Sequence, residues 1–239
     1  MTDLSLPTYH EPNWATQGDL PDTLNVVCVM WGDKYAPKYI DRLLASVERN
    51  LPDDLDFQLY CVTDSATDIP GVVTLRAERG KLWPIWWHKM NLFDASIMPH
   101  GPTLYIDLDS VIVSSLEPLI RSKSDKPMII VENFSPNKRH CLHNSSAMLY
   151  DVGDPRIQAM FEEFVADASV TMSKLHGDQC AVWRLLREDI ANFERKYVVS
   201  YKYHCRNKRL PADACAVIFH GKPDPHEVAD AWVTDHWRT

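Results

Sequence analysis

The hydrophobic and polar positions of the chain follow two periodicities, one typical of strands and one typical of helices. Short apolar runs at 24–31, 57–64 and 71–76 have the length and composition of buried strands. Between the first two runs, residues 36–50 space their apolar positions three and four apart, as in a helix packed on a sheet. This alternation of strand and helix predicts an α/β fold.

The second half of the chain continues the alternation less regularly. Residues 86–97 predict a helix, and "TLYIDLD" (103–109) predicts the next strand. Further strands are predicted over 144–152, 197–203 and 214–220, and further helices over 156–168 and 178–188. Residues 1–23 are polar and interrupted by prolines, which predicts an irregular N-terminal lead-in. Because no repeat or clear linker divides the remainder, we expect one domain over 24–239.

Composition limits the possible functions. The chain has 239 residues, 45% of them hydrophobic, and a net charge of −8. The acidic balance argues against a partner made of duplex nucleic acid, because such a protein needs a basic surface. No apolar run has the length of a transmembrane segment and no signal-peptide pattern opens the chain, so a cytoplasmic location is expected. The six cysteines contain no C-x-x-C pair and are expected to be reduced core residues.

Two acids interrupt the apolar run "LYIDLDSVIV" at 104–113. In an extended strand, residues two apart point to the same side, so the carboxylates of Asp107 and Asp109 are expected to converge while Leu108 faces the sheet. A divalent cation would relieve their repulsion, and carboxylate oxygens suit Mg²⁺ or Mn²⁺. The alternative is a solvated turn with two capping acids.

The last predicted strand ends in "FHGK", which places His220, Gly221 and Lys222 at its carboxyl end. A parallel sheet would bring these residues beside Asp109. A neutral imidazole can complete a Mn²⁺ site, a glycine lets a phosphate approach the backbone, and a lysine supplies a positive charge. The alternative is that His220 only ends a strand and Lys222 is ordinary surface charge.

Four motifs occur in an order found in a known group of enzymes: "LYIDLDSVIV", "NSSAMLYD", "HGDQCAVW" and "VIFHGKP". In this order the chain resembles the GT-A-fold glycosyltransferases of the glycogenin and bacterial galactosyltransferase group, known as family eight. That family has a D-x-D after a hydrophobic strand, a D-Q pair opening a helix, and a terminal H-x-G-x-x-K-P-W. The shorter "HGKP" of this chain, without the tryptophan, indicates a divergent branch.

The resemblance implies a fold and an activity. The fold would be a single GT-A-like α/β domain with a mixed central sheet flanked by helices. A Rossmann-like nucleotide-binding half (24–113) would precede an acceptor and sugar half (114–239). The activity would be metal-dependent transfer of a sugar from a nucleoside-diphosphate sugar to a carbohydrate or other hydroxyl acceptor, with a retaining mechanism favoured.

The resemblance also implies roles for individual residues. The metal, Mn²⁺ or Mg²⁺, would be bound by Asp107, Asp109 and His220. The nucleotide-sugar would be held by Lys89, Asp107, Gly221 and Lys222. Catalytic contacts to the transferred sugar would come from Asn144, Asp178 and Gln179.

Several of these residues have a simpler structural interpretation. Lys89 could be an ordinary helix lysine, Asn144 a turn residue at a strand end, and Asp178 the N-cap of the helix that follows it. The cluster "LWPIWW" supplies Trp83, Trp86 and Trp87. Tryptophan is usually largely buried, but an exposed indole could stack on an acceptor sugar.

Three other functions share part of these signals. A haloacid-dehalogenase-like phosphatase also carries a D-x-D after a strand, but there it follows the first strand of the core, and here three predicted strands precede it. A nucleotidyltransferase could share the fold, although no glycine-rich phosphate loop opens this chain. A non-catalytic carbohydrate-binding protein could retain the pocket without turnover.

Overall fold

A computed structural model gives the fold of the chain and describes residues 19–65, 68–135 and 141–239. Most of the lead-in expected over 1–23 lies outside these residues. The strands are β1 (Thr23–Met30), β2 (Asp56–Thr63), β3 (Val72–Leu75), β4 (Pro102–Ile106), β5 (Ser110–Ile112), β6 (Met128–Glu132), β7 (His143–Asp151), β8 (Ile190–Asn192), β9 (Val198–Ser200) and β10 (Ala216–Ile218). The α-helices are α1 (Lys38–Asn50), α2 (Glu117–Ile120), α3 (Pro155–Ala166), α4 (Ala168–Lys174), α5 (Asp178–Leu186) and α6 (Ala231–His236).

Seven strands form a mixed central sheet in the order β3-β2-β1-β4-β7-β6-β8. The pairs β1–β2, β2–β3, β1–β4 and β6–β8 are parallel, and β7 is antiparallel to both of its neighbours. The carboxyl ends of β1, β4 and β6 therefore share one edge of the sheet with the amino end of β7. The predicted mixed α/β sheet is confirmed.

Both faces of the central sheet are buried, which explains the nearly continuous apolar runs of its strands. On β1, Val26 belongs to a core cluster with α1. Its neighbour Val27 points to the other face and belongs to the cluster formed with α3 and α5. No helix in the described parts of the chain has the length and apolarity needed to span a bilayer.

The last strand pairs in a different direction from the one expected. β10 lies in a separate three-stranded sheet of order β5-β10-β9, where it is antiparallel to β5. The register pairs Ile218 with Ser110, so the carboxyl end of β10 meets the amino end of β5. His220 is thus brought toward Asp109 by an antiparallel pair, because the turn after β4 directs the chain out of the central sheet.

Two helical segments also differ from the expectation. The helix predicted over 86–97 is a 3₁₀ helix at Ile85–Phe93. The strand predicted over 197–203 ends at Ser200 and continues as a π-helix, Tyr201–Cys205. The Ser200 hydroxyl accepts a hydrogen bond from the backbone N–H of Tyr203, which turns the backbone out of the extended conformation. The side chains of this segment therefore do not alternate along a strand.

Candidate active site

A cavity of about 540 Å³ opens at the shared edge of the central sheet. It is lined by segments that are distant in sequence: the loop after β1, the 3₁₀ helix, the turn after β4, the start of β7, the start of α5 and the residues after β10. Eight of the nine predicted site residues lie here: Lys89, Asp107, Asp109, Asn144, Asp178, Gln179, His220 and Gly221.

The two acids of the D-x-D lie in a turn and not inside the strand, which corrects the first expectation for them. β4 ends at Ile106, and the backbone N–H of Ser110 donates to the Asp107 carbonyl at 3.0 Å. Leu108 is buried, as expected, although it packs into the core from the turn and not from an extended strand. Both carboxylates still line the cavity, because the turn holds them at the open edge of the sheet.

Asp107 is paired with a cation. Its carboxylate lies 2.7 Å from the Lys89 ammonium and accepts a hydrogen bond from the Tyr105 hydroxyl. Burial by itself would raise the pKa of Asp107, but Lys89 and the Tyr105 hydroxyl outweigh burial and lower the pKa below its ordinary value. Lys89 is therefore no ordinary surface lysine. It keeps Asp107 ionised inside the cavity.

The carboxylate of Asp109 is buried with weaker stabilising contacts than that of Asp107. It accepts hydrogen bonds from Tyr35 at 2.5 Å and, more weakly, from Lys34 at 3.5 Å. Burial and the nearby negative charge of Asp107 raise the pKa of Asp109 to about 6. Lys34 and Tyr35 thus do not offset the burial of ionised Asp109, and a cation bound beside the two acids would stabilise its charge.

His220 reaches the same cavity, but a hydroxyl engages its imidazole. Nε2 lies 2.7 Å from the Ser200 hydroxyl, and the ring stacks on Phe134 and on Tyr203. Burial, followed by the charge of Lys202, lowers the pKa of His220 to about 4, so the imidazole is neutral. A neutral ring suits a metal ligand, provided that Nε2 exchanges the hydroxyl for the ion.

The three predicted metal ligands do not converge as closely as a preformed metal site would require. Within the described segments, the group of three ligand atoms found within 4.8 Å of one another belongs to Asp224, His226 and Glu227. The ammonium of Lys222 lies 2.8 Å from Asp224 and 2.9 Å from Glu227, so it already neutralises those two carboxylates.

Lys222 is the one predicted site residue that lies away from the cavity. Its side chain is 70% exposed and turned toward Asp224 and Glu227. Gly221 does line the cavity, with a left-handed φ of +70° that favours glycine. A Cβ atom at Gly221 would lie 3.2 Å from Nζ of Lys202, so the ammonium of Lys202 is close to this backbone.

The residues predicted to contact the sugar lie together on one wall. Asp178 is the first residue of α5, and Gly177 occupies the N-cap position, so the N-cap interpretation of Asp178 is wrong. The buried Asp178 carboxylate instead accepts a hydrogen bond from the Ser145 hydroxyl at 2.5 Å. Asn144 lies at the start of β7, and Gln179 follows Asp178 on the cavity wall.

The sequence assigned no role to the individual residues Lys34, Tyr35 and Ser145, although the resemblance places the "WGDKY" turn after the first strand where the GT-A fold holds the nucleotide base. Lys34 and Tyr35 come from the "GDKY" turn after β1, and Ser145 comes from the "NSSA" motif. In the sequence these residues are polar and stand directly beside apolar strands, which is the pattern that could have identified them. What the sequence did not reveal was that the side chains of Tyr35 and Ser145 bind the two acids Asp109 and Asp178.

Comparison with known proteins identifies the fold. No protein-family model matches the chain, and no curated protein matches its sequence. Among solved structures, the galactosyltransferase LgtC in complex with donor and acceptor sugar analogues superposes with a TM-score of 0.63 at 15% identity, over 84% of this chain and 88% of that one. Apo mouse xyloside xylosyltransferase 1 gives 0.54 at 12%, over 84% and 98%.

A third structure, the glycosyltransferase GlyE of Streptococcus pneumoniae TIGR4, gives a TM-score of 0.62 at 14% identity. It matches over 85% of this chain and 56% of its own length. At such low sequence identities, the structural similarity establishes the fold alone. The chain therefore has the GT-A-like fold of these glycosyltransferases, and the resemblance seen in its four motifs is confirmed at that level.

Proposed function

We propose that the chain is a metal-dependent glycosyltransferase that moves a sugar from a nucleoside-diphosphate sugar to a hydroxyl acceptor. The observation that carries the proposal is the convergence of eight residues, from motifs distant in sequence, on one cavity. This cavity lies outside the carboxyl ends of parallel strands, where open α/β sheets bind ligands. In the same proposal, residues 24–113 bind the nucleotide and residues 114–239 supply the acceptor and sugar contacts.

Asp107, Asp109 and His220 would hold the metal, Mn²⁺ or Mg²⁺. The donor set fits such an ion, since it combines two carboxylates with a neutral imidazole, and burial leaves ionised Asp109 to be stabilised by a cation. When bound, a divalent cation neutralises the charge of a leaving diphosphate. Tyr35 and Lys34 hold Asp109 in place, and Lys89 keeps Asp107 ionised.

Lysine side chains would supply the remaining positive charge for the diphosphate. The resemblance assigns Lys222 to this role together with Gly221 and Lys89. To reach the diphosphate, Lys222 has to exchange Asp224 and Glu227 for phosphate oxygens. The ammonium of Lys202 already lies against Gly221. We therefore expect Lys202 to contribute more of the charge than Lys222.

Asn144, Asp178 and Gln179 would bind the transferred sugar. Their carboxylate and amide groups can bind hydroxyls in fixed directions, and the carboxylate of Asp178 can stabilise positive charge at the anomeric carbon. The Ser145 hydroxyl fixes the orientation of that carboxylate. A retaining reaction, in which the leaving phosphate assists the incoming hydroxyl on the same face, requires no protein nucleophile. An inverting reaction would instead need Asp178 as the base.

Thermal stabilisation by nucleotides tests the proposal. The protein is heated with UDP, GDP, ADP, CDP or TDP, each with Mn²⁺ and with EDTA, and its midpoint of unfolding is measured. We expect one or two nucleotides to stabilise the protein, and only with Mn²⁺. If no nucleoside diphosphate stabilises it and the protein hydrolyses phosphate monoesters, the phosphatase interpretation replaces this one. Transfer from the matching nucleotide-sugar to water or to an added glycoside then distinguishes an enzyme from a binding protein.

A further inference from the structure

The three tryptophans of "LWPIWW" lie in different environments. Trp83 packs edge-on against Phe164, with ring centroids 4.9 Å apart. Trp87 is buried and stacks on the same phenylalanine. Trp86 lies between them in the sequence but is 47% exposed and lines the candidate active-site cavity. Two of the indoles therefore serve the core, and packing does not explain the third.

The indole of Trp86 is held at a defined place on the cavity wall. It lies against the backbone of Gly177, where an added Cβ atom would come within 3.1 Å of the indole Nε1. Gly177 directly precedes Asp178 and Gln179 at the start of α5. The absence of a side chain at Gly177 thus lets the indole approach the residues proposed to bind sugar.

The exposure of this indole costs free energy. Burying apolar surface stabilises a protein by roughly 25 cal/mol per Å², and tryptophan has one of the largest apolar surfaces of any residue. An indole face left open beside carboxylate and amide groups matches the two sides of a pyranose ring. The C–H face of the ring packs on the aromatic surface, and its hydroxyls bind polar groups.

The depth of the side chains indicates which sugar the indole would contact. The side chains of Lys89 and Asp107, proposed to hold the diphosphate end of the donor, are only 16% and 18% exposed. Trp86, at 47%, is far more exposed than either. We propose that Trp86 stacks on the pyranose ring of the acceptor, so that the acceptor is a pyranoside. This inference rests on the proposed glycosyltransferase function.

Saturation-transfer NMR with defined sugars tests the role of Trp86. Methyl α- and β-glycosides of glucose, galactose, mannose and N-acetylglucosamine are added to the protein saturated with its stabilising nucleoside diphosphate and with Mg²⁺, used in place of paramagnetic Mn²⁺. We expect ring protons of at least one glycoside to receive saturation from the wild type. Trp86→Ala should weaken that binding about tenfold, the order expected for loss of one aromatic contact, and Trp86→Phe should restore most of it.

Matched controls separate the possible outcomes. Leu82→Ala removes a side chain that is 93% exposed and does not line the cavity, so it should leave glycoside binding unchanged. Equal glycoside binding by Trp86→Ala and wild type would overturn the inference, and so would wild type that binds nucleotide but no glycoside. If Trp86→Ala weakens binding of the intact nucleotide-sugar but not of the glycoside, the indole contacts the donor, and the inference is likewise overturned. Absence of nucleotide stabilisation in wild type would instead refute the proposed function.

Discussion

Substitution of Asp109 by asparagine should make the metal-free protein more stable while removing its response to Mn²⁺. The Asp109 side chain is only 7% exposed, and burial together with the charge of Asp107 raises its pKa from the ordinary 3.8 to about 6. A pKa difference of that size corresponds to ~3 kcal/mol, by which ionised Asp109 destabilises the fold. Asparagine has a similar shape and no charge.

The size of this effect depends on pH. Because the folded pKa of Asp109 lies above its unfolded value, its stabilising contribution is present below pH 4 and is lost as the pH rises through about 6. Asparagine does not titrate, so the gain from Asp109→Asn should be largest above pH 6 and should fall toward pH 4. The hydrogen bond from Tyr35 can be kept by the amide oxygen. The contact with Lys34 is lost, but that lysine is 61% exposed and contributes little.

Urea unfolding in EDTA at pH 8 and pH 4.5 measures the effect. We expect Asp109→Asn to be more stable than wild type by about 2–3 kcal/mol at pH 8 and by about 1 kcal/mol or less at pH 4.5. With Mn²⁺ and the stabilising nucleotide, the variant should show no thermal shift. Asp125→Asn, at an exposed acid outside the cavity, should change neither quantity. Lower stability of Asp109→Asn at pH 8, or an unchanged response to Mn²⁺, would refute the reasoning.

Four further substitutions test the lysines and the glycine of the site. Lys89→Met leaves the Asp107 carboxylate without its cation and should cost about 3 kcal/mol in urea unfolding. Lys202→Ala should weaken binding of the stabilising nucleoside diphosphate about tenfold in calorimetry, and Lys222→Ala should weaken it less, because Lys222 is bound elsewhere. Gly221→Ala should destabilise the fold by about 1 kcal/mol, because alanine disfavours a φ of +70°.

Each of these expectations has an outcome that contradicts it. A Lys89→Met variant as stable as wild type would mean that Asp107 is neutral or finds another partner. A larger loss of nucleotide affinity in Lys222→Ala than in Lys202→Ala would show that Lys222 leaves its carboxylates when nucleotide binds. Wild-type stability of Gly221→Ala would show that the backbone relaxes out of its left-handed conformation.

The secondary structure could be predicted largely from the sequence. Strands β1, β2 and β7 and helices α1, α3 and α5 lie within a few residues of their predicted positions. The reason is that each of these elements has a strongly periodic pattern of buried apolar residues. Such a pattern is visible in a short stretch of sequence. Where local signals were mixed the prediction failed, as at Ser200, where the extended conformation ends. The four motifs were enough to predict the GT-A-like fold.

By itself the sequence thus identified candidate site residues, because acids, an amide and a histidine beside apolar strands are visible along the chain. The tertiary structure decided which of them meet. It placed Lys89 on Asp107 and Tyr35 on Asp109, left Lys222 with other partners, and chose Trp86 among three tryptophans for the cavity. The physical reason is that these contacts depend on strand order and on the direction of pairing between β5 and β10. Both are set by packing between segments far apart in sequence, which no local pattern records.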